Sequence, residues 1–265
     1  MQPLLFVDLG SSRLKWQWWS GVTDAAQLLA SGAAAHAAQL PALLLSHLTG
    51  TPLPPQIVAI SVAAEPIRNQ FITAITARFG VEIVWLSSQR EALGITNGYD
   101  NAAQLGVDRW MALLGAARQT PPPLIIADLG SALTLDALDA HGQHHPGLIA
   151  PGLNAIATAL TALHPRLRAT SADDPLTETR VRHTGAAVML GQQLMLAGAV
   201  AAGARWLRQR LAVGRQPLPL LLCGGDAALI MPLLLPQLSG DEFIVELQGD
   251  LIFTGMRQQF SKSAQ

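Results

Sequence analysis

The sequence is poor in charged residues and in cysteine. Only 13% of its 265 residues are charged, against about 25% in an average globular domain. The single cysteine, Cys223, excludes an intrachain disulfide and fits a cytoplasmic protein. The net charge of −1 indicates no basic face, so nucleic acid is not expected as a partner.

Long apolar segments are also missing, although half of the residues are apolar. The longest uncharged apolar stretch runs from Leu194 to Ala204, which is shorter than the roughly 18 residues that cross a bilayer. The N-terminus has no basic region before its first apolar run, and Asp8 interrupts that run. We therefore expect neither a signal peptide nor a contact with a membrane.

Lysine is scarce in a way that singles out one position. The chain has 15 arginines but only two lysines, Lys15 and Lys262, and Lys262 lies in a polar tail. A compact ammonium group on a flexible stem suits a phosphate contact. A solvated strand lysine is the alternative, and composition favours neither interpretation.

An apolar strand followed by Asp-Leu-Gly-Ser occurs twice, 120 residues apart, at 4–11 and 124–131. Each copy continues into a second extended segment, so both predict a β-hairpin with a tight glycine turn. The run Thr120-Pro121-Pro122-Pro123 can form neither a helix interior nor a central strand. We therefore predict an N-terminal lobe, 1–120, and a C-terminal lobe, 121–265.

The remaining pattern alternates between strands and helices, which predicts an α/β fold. The predicted strands are 13–19, 56–63, 82–86, 133–138 and 218–222, with 147–149 extending the second sheet. The predicted helices are 65–79, 107–118, 154–163, 185–211 and 226–235.

The duplicated hairpins indicate a nucleotide site. A glycine turn with small hydroxyl residues exposes backbone N–H groups to anionic oxygens, and an aspartate at the strand end can hold a cation. One copy alone is more simply a polar turn. Two matching copies favour two duplicated actin-like lobes with ATP in the cleft. Gly224-Gly225-Asp226 follows a buried strand and supports ATP binding, although Asp226 as a helix N-cap is an alternative.

With these motifs placed, the chain resembles the type III pantothenate kinase family over nearly its whole length. The two phosphate motifs of the family resemble Asp8 to Lys15 and Asp128 to Asp136, and its acceptor motif resembles Gly106 to Arg109. Gly147 to Leu153 is similar to the family's Gly-x-Ile-x-Pro-Gly segment. The resemblance implies a ribonuclease-H-like fold and ATP-dependent phosphorylation of pantothenate, the first step of coenzyme A biosynthesis.

The resemblance also implies site residues. Those for ATP, which carries Mg²⁺, are Asp8, Leu9, Gly10, Ser11, Ser12, Arg13, Leu14, Lys15 and Ser131. Those for pantothenate are Tyr99, Gly106, Val107, Asp108, Arg109 and Thr184. By the same resemblance, Asp108 is the general base, Asp128 binds a monovalent cation (K⁺ or NH₄⁺), and Thr184 reaches the acceptor across a homodimer interface.

Several of these residues have a purely structural alternative. In the structural interpretation, Asp108 and Arg109 form an ion pair at a helix start. Tyr99 is then a half-buried core aromatic whose hydroxyl contacts water. Thr184 caps the long helix. Composition supports the homodimer independently, because an apolar chain with few charges is expected to expose apolar patches.

Two clusters are set aside. His141, His144 and His145 have a spacing seen in metal sites, but no other ligand pattern completes one, so a solvated loop is expected. The tryptophans at 16, 18 and 19 are expected to pack within their strand or against a lobe, and not to stack on bases.

The chain departs from the family pattern at a few positions. Ser11 replaces an asparagine, Ser131 a threonine, and Ala102 a proline. The first two changes are compatible with a catalytically weak regulatory relative, which the retained Asp108 argues against. A kinase of the same fold with a sugar or small acid as acceptor is a further alternative, and Tyr99 with the acceptor motif favours pantothenate.

Overall fold

The structure of this chain, a computed structural model, describes residues 3–23, 25–35, 56–167, 181–238 and 240–263. The chain divides into a first unit, Met1–Pro121 with Asp250–Gln265, and a second unit, Pro122–Gly249. The predicted C-terminal lobe, 121–265, differs from the second unit at its end, because the last residues belong to the first unit.

In chain order, the strands of the described residues are β1 Leu4–Leu9, β2 Arg13–Trp19, β3 Leu28–Ala35, β4 Gln56–Ser61, β5 Ile83–Trp85, β6 Glu91–Ala92, β7 Ile95–Thr96, β8 Leu124–Leu129, β9 Ala132–Leu138, β10 His144–Pro151, β11 Leu218–Cys223 and β12 Phe243–Leu247. The α-helices of the same residues are α1 Glu65–Phe79, α2 Val107–Gln119, α3 Leu153–Leu163, α4 Thr184–Leu211, α5 Ala227–Leu234 and α6 Leu251–Ser263.

Each unit contains a five-stranded sheet, and the two sheets have the same strand order. The first is ordered β3-β2-β1-β4-β5 and the second β10-β9-β8-β11-β12. In each sheet the first three strands pair antiparallel, and the other two join in parallel. The predicted α/β fold of two duplicated actin-like lobes is confirmed.

In the first unit, one face of the sheet packs against α1. Alternate residues of β1 and β4 point to this face, where they meet Phe71, Ile75 and Phe79. The predicted helix 65–79 is confirmed, with a proline in its first turn and Gly80 in the left-handed conformation, φ +62°, at its end. Strand β3 and the short pair β6–β7 were not predicted.

The C-terminal helix α6 joins the first unit by packing against α2. Gly115 and Gly255 lie at the crossing, where a Cβ on either would overlap a backbone carbonyl of the other helix. Trp110 Nε1 donates to Gln259 Oε1 at 3.0 Å. The sequence pattern assigned no helix here, and Lys262, predicted in a polar tail, lies in the last turn of α6.

In the second unit, α4 and α5 pack against one face of the sheet. The apolar side chains of α4 that enter this core include Leu196, Val200 and Leu207. By length and composition α4 could span a membrane, although a single helix of this kind is weak evidence for one. Its buried stripe lies against β8, β9 and β10.

The histidines at 144 and 145 do not lie in a solvated loop as predicted. They begin β10, where His144 is 1% exposed and its Nε2 lies 2.9 Å from Asp136 Oδ1. His145 Nε2 lies 3.1 Å from Asp139 Oδ2. Each histidine thus has a carboxylate on or just after the adjacent strand β9. Within the described residues, no group of three or more His, Cys, Asp or Glu side chains could hold a metal ion.

Candidate active site

The first hairpin places an aspartate opposite Lys15. Asp8 and Lys15 are direct cross-strand partners on β1 and β2, so their side chains share one face of the sheet. Asp8 is 5% exposed and Lys15 is half-buried. Gly10 N–H donates to Arg13 O at 3.0 Å and closes the turn. The turn residues Ser11 and Ser12 are exposed, as phosphate contacts require.

The second hairpin places a similar but shorter glycine turn in the other unit. Asp128 is the next-to-last residue of β8, and it lies opposite Thr134 on β9 and beside Cys223 on β11. Gly130 N–H donates to the Ala132 carbonyl at 3.0 Å, so the acceptor lies one residue closer in sequence than in the first hairpin. Ser131 is exposed at the tip.

Glycine backbone surrounds the Asp128 carboxylate. Gly224 has φ +93°, and a Cβ there would lie 2.5 Å from Asp128 Oδ1 and overlap Leu129 O. Asp226 N–H donates to the same Leu129 carbonyl at 3.0 Å. A Cβ on Gly152 would overlap Gly130 O. Backbone therefore approaches the carboxylate more closely than any side chain would allow.

The family resemblance assigns a monovalent cation to Asp128, and two oxygen atoms of the kind that such cations bind lie here. Asp128 supplies a carboxylate, and the carbonyl of Leu129 lies beside it. Carbonyl oxygens replace the hydration shell of potassium in other proteins. Asp226 stands at the N-cap position of α5, but its side chain makes no capping hydrogen bond.

The acceptor motif Gly106-Val107-Asp108-Arg109 forms the start of α2. Asp108 Oδ1 accepts the Arg109 N–H at 2.8 Å, which places a carboxylate in the first turn, where the helix dipole stabilises it. A Cβ on Gly106 would lie 2.6 Å from that oxygen. A side chain at position 106 would therefore displace the carboxylate from its present place over the helix start.

Tyr99 and Arg109 are brought together beside this helix start. Arg109 Nη1 donates to the Tyr99 hydroxyl at 2.8 Å, and the guanidinium carbon lies 5.6 Å from the centre of the tyrosine ring. Arg109 is 6% exposed. A buried guanidinium oriented in this way can grip a carboxylate with two parallel hydrogen bonds.

A family model for type III pantothenate kinase matches residues 4–205 of the chain. The chain belongs to the type III pantothenate kinase family. The enzyme of that name from Idiomarina loihiensis is 30% identical over 272 residues, which cover 96% of this chain and 97% of the relative. The one from Halorhodospira halophila is 37% identical over 164 residues, which cover 59% of this chain and 62% of the relative.

The solved structures show the same fold at low sequence identity. Component A of the (R)-2-hydroxyglutaryl-CoA dehydratase of Acidaminococcus fermentans superposes with a TM-score of 0.55. The match is 12% identical and covers 100% of both chains. It shows the fold alone, because identity this low carries no information on the reaction.

Thr184 of this family member does not cap its helix. The N-cap of α4 is His183, whose Nδ1 accepts the Ala186 N–H at 3.2 Å. Thr184 is the first residue of α4, is exposed and belongs to the second unit. The structural alternative for this residue is therefore wrong.

The tryptophan cluster packs within the first unit, as expected. Trp16 and Trp18 are buried, and Trp16 lies over Gly32 of β3, where a Cβ would come within 2.7 Å of the indole ring. The Arg257 guanidinium stacks 3.5 Å from the Trp19 ring centre. These indoles are occupied by protein contacts.

Two residues near the acceptor motif were not found from the sequence. Asn97 and Arg90 hydrogen-bond to the backbone on both sides of Tyr99. The dipeptide Asn97-Gly98 is a turn signal that could have drawn attention to Asn97. Nothing in the local pattern marks Arg90.

Proposed function

We propose that this protein transfers the terminal phosphoryl group of ATP to the hydroxyl of pantothenate. The products are 4′-phosphopantothenate and ADP, and the reaction is the first step of coenzyme A biosynthesis. The observation that carries the proposal is the Asp108 carboxylate at the start of α2, next in sequence to the Arg109 guanidinium that Tyr99 orients. Membership of the type III pantothenate kinase family supports it.

Asp108 is the general base of the transfer. Its carboxylate accepts the proton of the pantothenate hydroxyl as that oxygen bonds to the γ-phosphorus. The bond from the γ-phosphorus to the bridging oxygen breaks, and ADP leaves with the bonding electron pair. The N-terminal end of the helix dipole favours negative charge at this position.

Arg109 binds the pantothenate carboxylate and sets the distance between that group and the reacting hydroxyl. A guanidinium fork matches two carboxylate oxygens, and Tyr99 fixes the plane of the fork through the bond at 2.8 Å. Positioning of this kind accounts for a large share of catalysis in phosphoryl transfer.

The two hairpins bind the phosphates of ATP. The N–H groups of the turns at Ser11 and Ser131 provide neutral donors, and Lys15 provides a positive charge. Asp8 holds Mg²⁺, directly or through water. Asp128 holds K⁺ or NH₄⁺, which supplies positive charge near the phosphates.

The working form is a homodimer in the cytoplasm. Leu194 and Met195 are adjacent on α4 and are 45% and 57% exposed, so they form contiguous apolar surface, which in larger patches marks interfaces. Thr184 stands at the head of the same helix and completes the acceptor pocket of the neighbouring subunit. Light scattering checks this: Met189→Glu should lower both the mass and the activity, whereas a fully active wild-type monomer would contradict the dimer.

A coupled assay of ATP consumption tests the reaction. We expect turnover with pantothenate that rises when potassium is added, and no turnover with glucose or acetate. A protein that consumes ATP only with one of those acceptors would be a different kinase of the same fold. A protein that binds ATP and turns over none of them would be a regulatory relative.

A further inference from the structure

The segment that carries Tyr99 lacks regular secondary structure. It runs from the end of β7 through Asn97 to Asp100, and a single 3₁₀ turn, Ala102–Gln104, follows before α2. A segment of this kind has no ladder of backbone bonds to hold it, so its conformation depends on side chains. Tyr99 must nevertheless be placed accurately, because its hydroxyl accepts the bond from Arg109.

Asn97 lies at the centre of this segment and is 2% exposed. Its Nδ2 donates to Gln89 O at 3.1 Å and to Ala102 O at 3.3 Å, and its Oδ1 accepts the Tyr99 N–H at 3.0 Å. The side chain thus ties the start and the end of the segment to the backbone of Tyr99. Its backbone N–H also donates to Arg90 O at 2.9 Å.

Arg90 holds the other side of the same backbone. Its Nη1 donates to the carbonyls of Asn97 at 3.2 Å and Tyr99 at 2.7 Å, and its Nη2 donates to the carbonyl of Asp100. One planar guanidinium therefore fixes three carbonyls. A lysine could not reproduce this fork, because its ammonium is a point charge.

We propose that Asn97 and Arg90 are positioning residues that set the selectivity for a carboxylate-bearing acceptor. They act through Tyr99, whose hydroxyl fixes the plane of the Arg109 guanidinium. Asp108 is held separately, by the Arg109 N–H and by the helix start. Loss of Asn97 or Arg90 should therefore weaken binding of the acceptor carboxylate and leave the proton transfer at Asp108 intact. The inference rests on the proposed function.

The experiment compares Asn97→Asp and Arg90→Lys with the wild type and with Arg68→Gln. Asn97→Asp keeps the shape and loses both donated bonds. Arg68 is an exposed arginine of the same unit that stacks on Trp85, so Arg68→Gln matches the change in net charge that Asn97→Asp introduces. Steady-state kinetics give KM for pantothenate, KM for ATP and kcat for each variant.

We expect KM for pantothenate to rise about tenfold or more in both loop variants, with KM for ATP and kcat changed less than about threefold. The second readout is selectivity between pantothenate and its uncharged carboxamide analogue, measured as a ratio of kcat/KM. This ratio should fall by about the same factor in the loop variants and stay constant in Arg68→Gln. A merely structural role would lower kcat for both acceptors equally.

Two results would overturn the inference. One is an unchanged selectivity ratio in both loop variants, and the other is a fall in kcat with no change in KM for pantothenate. Because Arg90 is exposed, its replacement leaves no buried void, so Arg90→Lys decides the matter if Asn97→Asp unfolds. A wild-type protein that does not turn over pantothenate would instead contradict the proposed function.

Discussion

The two hairpins occupy equivalent positions in their sheets but carry different chemistry. Opposite Asp8 stands Lys15, whereas opposite Asp128 stands an uncharged threonine. The first turn is also longer: residues 10–13 separate the paired Leu9 and Leu14, against 130–132 in the second hairpin. The duplicated scaffold therefore places a lysine opposite the aspartate in one unit and a threonine opposite it in the other.

The segments that follow the fourth strand of each unit, β4 and β11, also differ in their backbone conformation. Val62 N–H donates to Leu9 O at 3.1 Å in the first unit, and Asp226 N–H donates to Leu129 O at 3.0 Å in the second. The second connection reaches that bond only by placing Gly224 in a left-handed conformation. The absence of a side chain at Gly224 thus leaves space beside Asp128. The corresponding connection in the first unit makes its bond from Val62, without a glycine.

The connection after the fifth strand shows the largest difference. Residues 86–106 lie between β5 and α2, whereas only residues 248–250 lie between β12 and α6. The long connection holds Tyr99 and Gly106, whereas Asp108 and Arg109 lie on α2. Two of the residues proposed for the acceptor therefore belong to a segment that the second copy of the repeat lacks.

The largest expected effect is on kcat, and it distinguishes the aspartate at the start of α2 from the aspartate just before α6. Asp108→Asn should keep the fold and lower kcat by about 10²–10⁴, because the general base is removed. Asp250→Asn, just before α6, is the matched control: Asp250 is exposed with φ +59°, a conformation that asparagine tolerates. Its kcat should stay within about twofold of the wild type. Near wild-type turnover by Asp108→Asn would remove Asp108 from the role of base.

The next effect compares the two strand-end aspartates. Asp128→Asn should abolish activation by potassium or ammonium and raise KM for ATP, since the cation loses its carboxylate ligand. Asp8→Asn should raise KM for ATP·Mg²⁺ while the remaining activity still responds to potassium. Initial rates across a potassium titration at constant ionic strength measure both. A normal potassium response in Asp128→Asn contradicts the assignment.

A smaller effect tests the glycine room beside Asp128. Gly224→Ala should destabilise the protein by about 1–3 kcal/mol, because alanine is strained at φ +93° and its Cβ would press on Asp128 Oδ1. No atom lies within 4 Å of a Cβ on Gly225, so Gly225→Ala should change stability by less than about 0.5 kcal/mol. Urea unfolding measures both, and equal midpoints would show that the left-handed turn is not required.

The smallest effect compares the hairpin turns at the other end of the sheets. Burial raises the pKa of Asp139, but hydrogen bonds from His145, Gln143 N–H and His141 N–H outweigh it and hold the pKa below its ordinary value. The ionised form therefore stabilises the fold above a pH of about 4, and this contribution is lost as the pH falls through the lowered pKa.

Asp139→Asn should accordingly cost roughly 0.5–1 kcal/mol at pH 7, with the difference shrinking as the pH falls through the lowered pKa. In the first unit, Ser20 Oγ accepts the Gln27 N–H at 2.8 Å in the corresponding turn. Ser20→Ala should cost a similar amount at every pH, because no charge is involved. Thermal unfolding at several pH values distinguishes the two, and a constant difference for Asp139→Asn would contradict the charge argument.

Local patterns predicted much of the fold. Helix α1 was predicted at its observed bounds, and α2 and α4 within one residue. Strand β12 and helix α6 were missed, as was the place of His144 in β10. A buried histidine is stabilised by Asp136 on the next strand, and that pairing depends on the strand register, which local pattern does not reveal.

The sequence by itself determined the repeat and the family, and it supplied the site residues that the proposed function uses. Each of these rests on short motifs whose order and spacing are visible along the chain. Only the tertiary structure decided that α6 belongs to the first unit and that Asn97 and Arg90 hold Tyr99 against Arg109. The helix contact joins Gly115 to residues near Gly255, which are far apart in the chain. The loop depends on side chains bonding to backbone carbonyls, and neither arrangement has a periodic signature.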